Sequence, residues 1–196
     1  MNFNIKPSLP DDRDYIYRND STEVLRESVD LREWDTLPQS KELIENTFNQ
    51  DGIYLRDGLK SLKKLGKISS YQKLISIYYI TEVLNHNKPV VFGMEIYDSF
   101  MDLNERISTV NFPGRKERSI GGHAMCMVGY DMRKRLFLAK NNLGTKWGDN
   151  GYCWIPFDYI RQEGYDIWTF DISNQAGEPN VLPHTIPLLP SQKILL

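Results

Sequence analysis

Gly121-Gly122-His123-Ala124-Met125-Cys126-Met127-Val128-Gly129-Tyr130-Asp131, then Lys140-Asn141-Asn142-Leu143-Gly144-Thr145-Lys146-Trp147-Gly148-Asp149-Asn150-Gly151-Tyr152, decides how this chain is read. A histidine opens an apolar β-type run, and an amide stands at the start of the loop after the next run. Such a pair can hold an imidazole in one tautomer for work on a thiol nucleophile. The two glycines before His123 let the backbone bring the ring close to a neighbour. The Asn141 amide oxygen is placed to accept the proton of His123 Nδ1 and present the other nitrogen outward. Each residue also has a plainer reading: His123 as a satisfied core histidine, and Asn141, like Asn142 beside it, as a turn residue.

Around this stretch the chain reads as short strands and two helices. Leu55, Leu59, Leu62 and Leu65 fall at helical spacing, lysines follow, and Gly66 supplies a stop, which predicts a core-facing helix. A second helix is expected over 79–87, with Ile80, Val83 and Leu84 on one face. The run Lys88-Pro89-Val90-Val91-Phe92-Gly93-Met94-Glu95-Ile96-Tyr97 is apolar, β-branched and bounded by proline, a buried strand. Further strands are expected over 124–130, 136–141, 151–155 and 168–172. Val29-Asp30-Leu31-Arg32 carries a short alternating signal. Closely spaced strands separated by turns suggest a small antiparallel barrel or sandwich. Leu9-Pro10-Asp11-Asp12-Arg13-Asp14-Tyr15 reads as loop within an extended, polar stretch, whose plainer reading is a solvated arm. The stretch from Asn174 onward has four prolines and no periodicity.

Composition excludes several classes. The 196 residues are 40% hydrophobic and 26% charged, with formal charge -2, as in an ordinary globular chain. No basic footprint for nucleic acid and no polybasic membrane patch is present. No run is long enough to span a bilayer, and the first ten residues lack the apolar core of a signal peptide, so the sequence gives secretion no support. Two cysteines cannot supply a disulfide framework.

The histidine run, the Asn-x-x-Gly-x-x-Trp-Gly-x-x-Gly-Tyr run and Trp154-Ile155-Pro156 after it resemble the papain-like cysteine peptidases, whose motif reads G-H-A-V-x-x-V-G-Y, then K-N-S-W-G-x-x-W-G-x-x-G-Y. The Pro-Asp-x-Arg-Asp-Tyr and Val-Asp-Leu-Arg stretches near the start are similar to those of viral and bacterial members. The resemblance covers 88–168 closely and the rest loosely. It implies an α+β fold with an antiparallel β-barrel-type lobe and a reduced helical lobe. Residues 1–28 would be an extended arm, 29–173 the peptidase domain and 174–196 an irregular extension. It implies catalytic roles for His123 as base and acid and Asn141 as orienting group, no cofactor, no metal, and a peptide or protein as substrate or ligand. Nucleic acid and membrane are not expected partners.

Three departures stand against that pattern. Relatives carry a Q-G-x-x-G-S-C element with cysteine at a helix N-terminus soon after Val-Asp-Leu-Arg. Here Trp34-Asp35-Thr36-Leu37-Pro38 passes into 39–49 and then the Leu55 helix, and Gln39 lacks the surrounding motif of an oxyanion-hole glutamine. The tryptophan after the motif's Asn-Ser is Leu143, which should leave the Asn–His pair wetter and weaker. The whole segment carrying the central helix, several dozen residues by comparison with relatives, is missing. Neither existing cysteine is a ready substitute. Cys126 lies three residues from His123 on a strand, so its thiol faces the other side, about 10 Å away between Cα atoms. Cys153 lies in an apolar strand, where a thiol acts as a small hydrophobe. A zinc site from His123, Cys126 and Cys153 has poor geometry and lacks a fourth ligand. The expectation is a papain-like peptidase homologue impaired by the missing nucleophile. The alternatives are a non-catalytic pseudopeptidase that binds a peptide or protein, a second chain that completes the cleft, and a chain whose lost helix bares apolar surface.

Overall fold

The β-branched run 90–97 forms the strand around which the molecule is arranged. The structure, a computed structural model, describes residues 5–11, 13–19, 23–32 and 54–173. Its elements in chain order are β1 (Ser28–Asp30), α1 (Leu55–Lys64), β2 (Ile68–Lys73), α2 (Ile77–Asn85), β3 (Val90–Tyr97), a 3-10 turn (Asp98–Asp102), β4 (Ser119–Asp131), β5 (Leu136–Lys140), β6 (Tyr152–Pro156), α3 (Phe157–Glu163) and β7 (Gly164–Ile172). The strands make one antiparallel sheet in the order β2-β7-β3-β4-β5-β6, and β1 pairs with the end of β4. The fold is α+β. Among the described residues β2 and β6 remain the two ends of the sheet, so it stays open instead of closing into a barrel. The Gln39 region and the 174–196 extension lie outside the described residues.

Local chemistry explains the helices. In α1, Leu55 and Leu59 are buried and Leu62 is partly buried, while Lys63 and Lys64 sit in the last turn. Burying each of those two leucines contributes about 1.5–3 kcal/mol. Gly66 ends the helix at φ 68°, a left-handed conformation that glycine adopts without cost. Leu65 does not join the apolar face expected of it: it lies past the last turn and is 68% exposed. Helix α2 begins two residues before the expected position because the Ser76 side chain caps it, accepting the Tyr79 N–H at 3.2 Å. It ends at Asn85, and Asn87 turns the chain at φ 60°. Helix α1 packs on β2, β3 and β7, α2 on β3 and β4, and α3 on β3, β6 and β7.

The described residues of the N-terminal stretch dock on the fold while many of them stay exposed. Tyr17 N–H donates to the Lys73 carbonyl (2.9 Å) and Lys73 N–H to the Tyr15 carbonyl (2.7 Å), which adds a short parallel bridge to the β2 edge. The Arg56 guanidinium, from α1, donates to the Leu9 carbonyl (2.7 Å) and pairs with Asp14 (3.2 Å). Further on, Arg26 donates through its backbone N–H and its Nε to the Asn85 side-chain oxygen, both at 3.0 Å.

Candidate active site

Strand β4 carries the histidine and the end of β5 carries the amide. The β3–β4 register runs unbroken from Met127 opposite Val90 to Gly121 opposite Ile96, which puts His123 opposite Met94. Strand β5 pairs with β4 as far as Lys140 opposite Cys126, and the chain then leaves the ladder at Asn141. There the Asn141 N–H donates to the Gly151 carbonyl at 2.9 Å. Glycines at φ 59° (Gly148) and φ 89° (Gly151) fold the intervening turn back against this point. The result places Asn141 Oδ1 2.8 Å from His123 Nε2.

This contact corrects the expected tautomer. Asn141 Oδ1 also accepts the backbone N–H of Asn142 at 2.8 Å, so it is the oxygen and not the amide nitrogen that faces inward. His123 Nε2 must then be the N–H donor, and Nδ1 holds the lone pair. The expectation that the pair would form through Nδ1 is reversed: β4 presents the ring with its far nitrogen toward β5.

The expected wetness of the pair is also overturned. His123 is 6% exposed and Asn141 7%. The cover comes from the 3-10 turn and the glycine-rich loop. Phe100 meets the imidazole edge-on, with centroids 5.8 Å apart, and Trp147 stacks obliquely on Phe100 at 4.8 Å. The Trp147 indole N–H donates to the Phe100 carbonyl at 3.0 Å, which ties the two covering rings together. Leu143 itself packs half-buried against the core. The sequence reading missed Phe100, whose place just after the β3 run was its signal.

Burial is the larger influence on His123 and pushes its pKa below the ordinary 6.5, while the hydrogen bond to Asn141 pulls in the other direction. Near neutral pH the group is a neutral imidazole with a fixed tautomer. Such a group can take a proton from a donor placed at Nδ1.

The two cysteines are enclosed in the sheet. Cys126 is buried on the opposite face of β4, paired with Val91, and its thiol pKa is pushed up to about 12 by burial, against smaller opposing effects of Lys140 and the Val90 backbone. Cys153 is fully buried opposite Ala139 and burial raises its thiol further. Both are free. Among the described residues no three His, Cys, Asp or Glu side chains converge as a metal site would require.

The model of the papain family cysteine proteases matches residues 27–165, most of the chain. The chain belongs to the papain family. It is 29% identical to an uncharacterized peptidase C1-like protein, L477, of Acanthamoeba polyphaga mimivirus, in a match covering 76% of this chain and 63% of that protein. The chain thus spans under two thirds of that relative's length. Its fold is similar to that of xylellain, a cysteine protease from Xylella fastidiosa, with TM-score 0.72 and 21% identity over 87% of this chain and 96% of xylellain. It is also similar to digestive procathepsin L 3 of the Tenebrio molitor larval midgut, with TM-score 0.60 and 15% identity over 87% of this chain and 76% of that one. The histidine–amide contact joins β4 to the end of β5; Cys126 lies on the opposite face of β4, and Cys153 is fully buried on β6, two strands from His123.

Proposed function

We propose that this papain-family chain is a peptidase homologue whose thiolate chemistry is impaired. The observation that carries the reading is the placement of both cysteines: each is enclosed in the sheet, and Cys126 is held as a thiol, with its pKa about 12, on the far face of β4 from His123. A nucleophilic cysteine needs the thiolate, and it needs the imidazole within hydrogen-bond reach. Without that attack the remaining histidine and asparagine supply at best weak residual rate enhancement.

A second reading, a non-catalytic member that binds a peptide or protein, is favoured by one contact. The Ile5 N–H donates to the carbonyl of Gly122 at 3.1 Å, so the chain already holds an extended segment one residue from His123. The test is hydrolysis of a mixed fluorogenic peptide library by the purified chain and by His123→Ala. The reading expects equal, background rates. Turnover that His123→Ala abolishes overturns the impaired reading.

A further inference from the structure

Gly122 faces the side of β4 opposite His123, by the alternation of the strand. A Cβ there would run into the Tyr165 hydroxyl and the Ile5 carbonyl oxygen, so the position is a floor that only glycine leaves open. Gly93, on the neighbouring strand, is the same kind of floor: its Cβ would come within 2.5 Å of the Tyr165 ring. Across these two glycines lies Tyr165, and its hydroxyl donates to the Ile5 carbonyl at 2.9 Å. Ile5 is therefore gripped at both backbone groups, its N–H by the Gly122 carbonyl and its C=O by Tyr165. Its side chain packs against the core.

The next residue of β7 completes the arrangement. Asp166 is only 7% exposed and sits at φ 52°, an uncommon conformation for a residue with a side chain. One carboxylate oxygen takes the Trp168 indole N–H at 3.1 Å and the other takes the Ser8 hydroxyl at 2.5 Å. A buried carboxylate is stable only when its oxygens are satisfied, so withdrawing Ser8 without a replacement donor is costly. Between the two grips lie Lys6 and Pro7, and a proline holds both itself and the residue before it extended. None of these groups takes part in the His123–Asn141 contact.

We propose that Gly122, Tyr165 and Asp166 form a peptide clamp for an extended aliphatic-x-Pro-Ser or aliphatic-x-Pro-Thr segment, and that residues 5–8 are its exchangeable internal occupant. This rests on the binding reading above and deepens it by naming the class of peptide and the groups that read it. Backbone groups give affinity, as in strand addition, while the aliphatic pocket and the Asp166 carboxylate give selectivity.

A site filled by its own segment binds an outside peptide more weakly, in proportion to the fraction of time it is open. The experiment measures anisotropy of a fluorescein-labelled Asn-Ile-Lys-Pro-Ser-Leu peptide with the full-length chain and with full-length Ile5→Asp. Binding at least about tenfold tighter to Ile5→Asp is expected. In that background Tyr165→Phe, which keeps the ring, weakens binding about three- to tenfold, as loss of one hydrogen bond does. Replacing the peptide's serine by alanine weakens it comparably, with no change to the protein, so a folding defect cannot imitate the result. Equal affinity for native chain and Ile5→Asp overturns the proposal, and so does indifference to both the Tyr165→Phe and serine-to-alanine changes. Peptide cleavage is not read, so this failure is distinct from failure of the impaired-peptidase reading.

Discussion

The His123 ring is held neutral by its surroundings, and that has a consequence for stability. Its pKa is lowered in the fold relative to 6.5 in an open chain. Between the folded value and 6.5 the unfolded chain binds a proton that the folded chain does not, so stability rises with pH there. The stability present above pH 6.5 is accordingly lost as pH falls from 6.5 through the folded value. Urea unfolding across that range should show this loss, and His123→Gln should remove its share of it. Asn141→Ala removes one oxygen that serves two donors, His123 Nε2 and the Asn142 N–H. Its expected cost is about 1–3 kcal/mol in the same assay near neutral pH, since buried donors lose their acceptor. A change under a few tenths would mean that the contact carries little of the site's order. The two residues of this pair were legible through the resemblance to the papain-like motif, which picked Asn141 over Asn142. Which nitrogen points at the amide was not, because strand register and ring rotation are set by partners far along the chain. The dryness of the pair was misread for the same reason: Phe100 and Trp147 cover it from segments 23 residues before and 24 residues after His123.

Elements with a strong local signal were legible, and those made by their neighbours were not. The α1 leucines, the glycine stop and the β3 run carry their structure in their own pattern. Strand β2, Ile-Ser-Ser-Tyr-Gln-Lys, has little apolar alternation and is a strand because β7 pairs with it from Ile68 opposite Ile172 to Lys73 opposite Trp168. Helix α3 is seven residues long and follows a proline, too short for periodicity to speak. Where the N-terminal segment docks was not legible, because its partners, Arg56 and Lys73, lie on elements distant in sequence. A prediction at this scale concerns β1. A Cβ at Gly129 would run into the Val29 carbonyl oxygen, across the β1–β4 pairing. Gly129→Ala should therefore destabilise the fold by about 1–3 kcal/mol, the usual cost of forcing atoms into a packed site. Hydrogen exchange should localise the loss to the Ser28–Asp30 pairing. Unchanged protection there would show that β1 moves aside freely.

For the molecule as a whole, a papain-like fold holds a buried histidine–amide contact, while its two thiols serve as small apolar core groups. Their environment makes a joint prediction. Iodoacetamide at neutral pH should leave both Cys126 and Cys153 unmodified in folded protein and alkylate both in guanidinium, because a buried thiol has neither access nor thiolate character. The most direct test of the central claim uses a thiol-directed epoxide of the kind that traps papain-like nucleophiles. It is applied to folded protein and to His123→Ala, and read by intact mass and peptide mapping. No adduct in either protein is the predicted result. An adduct at Cys126 or Cys153 that disappears in His123→Ala would contradict the account and make this chain a working thiol peptidase.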